Sequence, residues 1–181
     1  MAEIAFNLET VKHPPFENDP PVKFNIPAKT IGLIYGILAA IGLVFLGLFG
    51  IIGLLIGGAL TAVSVASGNA TGPLYFIVSL VHLVISIVAY AMIAWGGYKM
   101  YQLDHSGRDM VCLGFFVLVV SNLVGILTSL SPVGLIAGLI GWIISTAITF
   151  IFYYLIVISR FPDEAPLVAG GGSAGAPPPS A

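Results

Sequence analysis

Two tracts of this chain contain no ionised side chain. From Ile31 to Tyr98, and again from Met110 to Ser159, Leu, Ile, Val, Ala, Gly and Phe succeed one another without an Asp, Glu, Lys or Arg. A hydrocarbon layer about 30 Å thick is crossed by roughly 20 apolar residues in a helix, so each tract is long enough to cross twice. A charge at mid-membrane costs on the order of 2.5–3.5 kcal/mol, which accounts for the exclusion. The pattern predicts an all-α integral membrane protein with four transmembrane helices in an antiparallel up-down bundle. The helices are expected at about 30–65, 74–101, 108–129 and 132–160, within a membrane unit spanning 30–160. A Pro-rich tail, 1–29, precedes it and a Gly/Pro/Ala-rich tail, 161–181, follows.

Turn chemistry divides the tracts. Ser67 to Pro73 is a Gly- and Asn-containing turn, Ser131-Pro132 opens the fourth helix, and Gln102 to Asp109 is a short charged connection. Pro27 suits the first turn of helix 1, where no amide is needed. Ser106 and Asp109 have the spacing of a capping box at the start of helix 3. The first apolar run is about 50 Å long as one helix, so helix 1 either tilts, protrudes or breaks near Gly57-Gly58. Asn69-Ala70-Thr71 matches a glycosylation acceptor, but a loop this short and close to the membrane favours a chance match.

Charge then fixes an expected orientation. The six basic residues, Lys12, Lys23, Lys29, Lys99, Arg108 and Arg160, all fall on one side of a four-crossing chain, as do the eight acidic ones. The positive-inside rule puts that side, with both termini, in the cytoplasm. Lys29, Lys99, Arg108 and Arg160, with Trp95, are expected to anchor the helix ends in the headgroup layer. Residues 1–29 have no apolar core of a cleavable signal; helix 1 is expected to target itself, and a prokaryotic inner membrane is the expected location.

Composition narrows the partners. At 58% hydrophobic and 8% charged residues, with a mean hydropathy of +1.06, the chain needs lipid as solvent. A net charge of −2 with no basic cluster excludes nucleic acid as a natural partner. Cys112 is the sole cysteine, so neither an internal disulfide nor a thiolate metal cage can form; it is expected as a packing residue, with acylation the alternative.

Polar groups inside the apolar tracts are the candidate chemistry. Tyr75, Ser79, His82, Ser86 and Tyr90 recur at steps of three and four, so they share one face of helix 2. Helix 3 offers Ser121, Asn122, Thr128 and Ser129, and helix 4 offers Ser145, Thr146, Thr149 and Tyr153. A polar seam joining helices 2, 3 and 4 satisfies them. Its expected role is interhelical hydrogen bonding, with a proton or ion path along it and a haem or pigment ligated by His82 as alternatives. No cofactor or metal is expected, because a lone His lacks a second ligand. Asp104, His105 and Asp109 form a weaker cation candidate, better read as a hydrated loop.

Glycines supply the other signal. Gly32 with Gly36, Gly53 with Gly57, and Gly134 with Gly138 are small-xxx-small pairs that let helices approach closely in lipid. In the first tail Ile4, Phe6 and Leu8 alternate like a strand, and Phe16 and Phe24 stand among prolines, so this segment is expected either as a disordered tail or as a peptide docking on a partner. No nucleophile elbow, zinc-protease motif, phosphate loop or dinucleotide fingerprint is present. The expectation is therefore a non-enzymatic, structural or accessory membrane subunit packing with itself, with other membrane subunits and with lipids; the alternative is a small channel or transporter using the seam around His82 and Asn122.

Overall fold

The computed structural model describes residues 25–68, 71–126 and 132–164. Four helices dominate it: α1 (Ala28–Ala66), α2 (Thr71–Tyr101), α3 (Ser106–Ile126) and α4 (Pro132–Val157). All four are long and apolar enough to cross a membrane. The tail residues Ile4, Phe6, Leu8, Phe16 and Phe24, Asn69 of the acceptor triplet, Thr128, Ser129 and the segment after Glu164 lie outside the described residues. So do the surroundings of Gly134.

Helix 1 runs unbroken through Gly57-Gly58 for 39 residues, about 58 Å at 1.5 Å per residue. It begins at Ala28, so Pro27 is its N-cap rather than a first-turn residue. α2 begins at Thr71, three residues before the predicted start, and α3 at Ser106, two before. α4 stops at Val157 instead of reaching 160. Ser159 turns back to donate its hydroxyl to the Ile156 carbonyl at 2.7 Å, and Ser159–Arg160 leave as a short strand, β2. This strand lies parallel to β1 (Ile26–Pro27), pairing Ile26 with Ser159 and Pro27 with Arg160. The chain is thus not wholly helical, because its entry and exit are stitched by backbone hydrogen bonds.

Packing follows the glycines. α1 lies along α2, α2 along α3, and α3 more loosely along α4, while α1 scarcely meets α4. A Cβ on Gly97 would fall 2.5 Å from the Gly36 nitrogen and 2.7 Å from the Gly32 carbonyl. One on Gly96 would fall 2.8 Å from the Gly107 carbonyl, and one on Gly107 2.6 Å from the Gly96 carbonyl. Only hydrogen fits at either contact, so three backbones meet with no side chain between them. Further along, Gly42 receives the Tyr90 ring, Gly50 receives Leu83, Gly57 faces Phe76, and Gly138 faces Ile126. Gly53 meets nothing within 4 Å. The structure therefore gives its expected packing role no contact among the described residues.

The buried side chains collect at the end of the bundle that carries the charges. Ala28, Ile31, Tyr35, Met100, Val111, Cys112, Phe115, Ile156 and Phe161 form one cluster there. Tyr35 ties three helices, donating its hydroxyl to the Phe152 carbonyl at 2.6 Å and setting its ring edge-on to Phe115 and Phe152. At the other end α3 reaches only to the level of His82 before its described residues end. α1 and α2 continue past that level for about 16 Å, eleven residues of α2 at 1.5 Å each, with Leu55, Leu60, Val63, Leu74 and Ile77 exposed.

Enlarging Gly97 tests this packing. Gly97→Val is expected to cost at least the 1–3 kcal/mol typical of overpacking in unfolding from mild detergent into dodecyl sulfate, whereas Gly53→Val should leave the midpoint unchanged within about 0.5 kcal/mol. Equal effects would show that glycine contact does not set the stability.

Candidate functional site

The seam predicted on α2 is assembled in part. His82 Nδ1 lies 2.7 Å from the Ser121 carbonyl, which can only accept, so Nδ1 is the donor. The Ser121 hydroxyl lies 2.7 Å from that of Ser86 and 3.2 Å from the His82 carbonyl. Ser86 and Ser121 are buried, and Gly125 leaves room for the imidazole, whose Cε1 sits 3.2 Å from where a Cβ would stand. Five polar groups thereby satisfy one another between α2 and α3, which is what burial in lipid demands.

A second link joins α3 to α4. Asn122 Nδ2 donates to the Ser145 hydroxyl at 2.9 Å, and Trp142 Nε1 donates to the Val119 carbonyl at 3.2 Å. Thr149 instead bonds within its own helix, to the Ser145 carbonyl at 2.8 Å, and the buried Thr146 hydroxyl has no hydrogen-bond partner among the described residues. Three expected members of the seam behave differently. Ser79 is exposed. Neither it nor Tyr75 hydrogen-bonds to the seam among the described residues. Tyr90 contributes its ring to Gly42.

The seam borders open space. A cleft of about 690 Å³ lies between α1 and α4, with Tyr35 and Phe152 at its lining toward the charged end, and His82, Ser86, Asn122 and Ser145 along its polar side. A smaller cavity of about 210 Å³ shares His82, Asn122 and Ser145 and reaches Gly138 and Trp142. The cleft exists because α1 and α4 scarcely touch beyond the Tyr35–Phe152 bond.

Electrostatics belong to the other end. Arg108, expected to anchor in headgroups, is only 7% exposed. Its Nη2 donates to Glu164 Oε2 at 2.8 Å and to the Ser159 carbonyl at 2.9 Å, and the guanidinium lies 5.0 Å from the Phe161 ring centre. Phe161 stacks on His105 at 4.0 Å, and His105 Nε2 lies 3.0 Å from Asp163. The Phe161 amide also donates to Glu164 at 3.0 Å. Arg108 is therefore a clasp closing α3 onto the segment after α4. Neither Phe161 nor Glu164 was legible as its partner, because both follow the last apolar tract in a stretch with no folding pattern.

The expected cation trio is dispersed. Asp104 accepts from the Ser106 amide at 2.9 Å and pairs with Lys99 at 3.4 Å, while His105 turns to Asp163. Asp104, not a Ser106–Asp109 box, caps α3, and these hydrogen bonds from Ser106, reinforced by Lys99, hold its carboxyl below the usual range. Among the described residues no three His, Cys, Asp or Glu side chains are grouped to hold a metal ion. Cys112 is buried in the core. Trp95 remains exposed beside Tyr98, and Lys29 lies over the Tyr101 ring at 5.0 Å, an arrangement suited to the headgroup layer.

These features define an integral membrane protein of the multi-pass helical class, held together at one end by glycine contacts and an ionic clasp. No family model, curated protein or solved structure matches the chain.

The clasp is sensitive to acid. Burial pushes the Glu164 carboxyl up, but the hydrogen bonds from Arg108 and the Phe161 amide, with the charges of Arg108 and Arg160, outweigh it and hold the group below its ordinary 4.5. A folded value below the unfolded one adds stability above that range, and the contribution is lost as pH falls through the folded value. Thermal stability of the wild type should therefore drop below pH 4.5. Glu164→Gln should be less stable by about 1.5–3 kcal/mol at pH 7 and should lack that part of the acid transition. Parallel curves for the two proteins would contradict the clasp.

Proposed function

We propose that this chain is a non-catalytic, structural or accessory subunit of a membrane assembly, an up-and-down four-helix bundle whose termini lie on the cytoplasmic side of a prokaryotic inner membrane. The orientation rests on the positive-inside rule. The up-and-down order is supported by the register of contacts: positions advancing along α1, from Gly32 through Gly42 and Gly50 to Gly57, meet positions receding along α2, from Gly97 through Tyr90 and Leu83 to Phe76.

The observation that carries the assembly is the cleft between α1 and α4. Acyl chains offer no hydrogen bonds to a wall holding His82, Asn122 and Ser145, whereas a transmembrane helix from a neighbouring subunit can bring both apolar surface and polar side chains. Gly141 lines the cleft with nothing within 4 Å, so a backbone can approach there. The overlong apolar α1–α2 hairpin adds surface that gains from a neighbour in a bilayer thinner than the hairpin.

One observation favours a second reading, a small channel or transporter: the polar seam borders the cleft instead of being wholly packed away. Two measurements separate them. A photo-crosslinker at Ile144 or Ile148, which line the cleft, should capture a protein helix in native membranes, while one at Leu123, exposed on α3, should not. Flux in reconstituted vesicles should be absent, and His82→Leu should weaken assembly or stability alone. A monomer that crosslinks only lipid, or a flux abolished by His82→Leu, would overturn the subunit reading.

A further inference from the structure

We propose that the helix entering the cleft is one that carries a carboxamide side chain, Asn or Gln, at the level of His82 and Asn122, and a second hydrogen-bonding side chain seven or eight residues along the same face, at the level of Tyr90. The inference rests on the subunit reading above and names what the partner must bring. His82 Nδ1 donates to the Ser121 carbonyl, and with that proton on Nδ1 the Nε2 of the neutral ring is an acceptor. Asn122 gives its Nδ2 to the Ser145 hydroxyl, which leaves Oδ1 as a second acceptor, and both residues line the same cavity of about 210 Å³. Tyr90 lines the cleft with its ring against Gly42. Among the described residues no hydrogen bond reaches His82 Nε2, Asn122 Oδ1 or the Tyr90 hydroxyl.

The chemistry of these groups selects the occupant. Polar groups facing hydrocarbon are costly unless bonded. Two acceptors on one cavity call for a group with two hydrogens, which a carboxamide has and a hydroxyl lacks. His82 and Tyr90 are eight residues apart on α2, about 12 Å at 1.5 Å per residue. A helix lying in the cleft covers that distance in seven or eight residues, and positions seven apart share a face. Gly141, which lines the same cavity as His82 and has nothing within 4 Å of its Cβ position, lets the partner backbone come close at the level of the carboxamide. A second copy of this chain does not meet the description. Away from the charged end, the outward faces of the four helices carry one exposed polar side chain among the described residues, Ser79, so no such face offers two polar groups at two-turn spacing.

Synthetic transmembrane peptides test this by energy transfer from the full-length labelled protein in vesicles of an uncharged-headgroup lipid. Three Leu–Ala peptides, each with a central glycine, serve as probes: one with two glutamines seven residues apart, one with two glutamines five apart and so on different faces, and one with none. The first should bind about eightfold more tightly than the third and about threefold more tightly than the second, each engaged glutamine counting for about threefold at the average measured for hydrogen bonds in membranes. Tyr90→Phe, which keeps the ring that Gly42 receives, and His82→Leu should each weaken the first peptide about threefold, while Ser79→Ala should bind it as wild type. Tyr90→Phe decides the matter if His82→Leu does not fold. Unlabelled copies of the protein should not compete with the peptide. Equal binding of the three peptides, unchanged binding in Tyr90→Phe, an equal loss in Ser79→Ala, or displacement by a second copy would each overturn the inference while leaving the subunit reading in place. Failure of that reading is seen separately, as lipid alone crosslinked from Ile148 in native membranes.

Discussion

The structure depends on backbones touching where side chains are missing. In water, helices associate because apolar surface leaves the solvent; in lipid that gain vanishes, since acyl chains solvate Leu and Ile as well as another helix does. What remains is dispersion between closely fitted surfaces and the weak polar contacts that close approach permits. Gly97 set against Gly32 and Gly36, and Gly96 against Gly107, bring α1, α2 and α3 to that range. A side chain at Gly32, Gly96, Gly97 or Gly107 would push the axes apart and remove the advantage over lipid.

Around that contact the molecule is asymmetric along its length. The charged end has the buried core, the Tyr35 bridge to Phe152, the β1–β2 stitch and the Arg108–Glu164 clasp. Toward the other end α4 is held to α3 mainly by Asn122–Ser145 and Trp142–Val119, and α1 stands away from it. Bonds of this kind average only about 0.6 kcal/mol in a membrane, far less than a packed interface provides. The result is a rigid base from which α1 and α4 diverge, and the cleft between them is a consequence of where the glycines are.

Much of this was legible in the sequence because a membrane imposes one simple rule on charge. The four helices follow from the two tracts without ions, and the His82, Ser86 and Ser121 cluster follows from helical spacing and the need to satisfy buried polar groups. The Gly32–Gly36 pair was equally readable. Its partner was not: Gly96-Gly97 is a doublet, and Gly107 lies in a charged turn, so neither shows a small-xxx-small spacing. Gly53 had the same spacing but meets nothing within 4 Å, since a motif says that a backbone can be approached but not what approaches it. The clasp escaped for another reason. Arg108 looks like any helix-end cation until the fold brings Glu164 and Phe161, more than fifty residues away, against it. The cleft is a property of helix placement and leaves no local mark in the chain.

The central claim is that α1 and α2 form one glycine-fitted unit while α4 stands off from it. Distances between paired spin labels in a bilayer test it most directly, with labels on cysteines replacing Val65 and Leu74 in one protein and Val65 and Ile136 in another, all three side chains being exposed and Cys112 first replaced by serine. The account predicts a narrow distribution for the α1–α2 pair and a distinctly broader one for the α1–α4 pair in the isolated protein. Equally narrow distributions, or a broad one between α1 and α2, would contradict it.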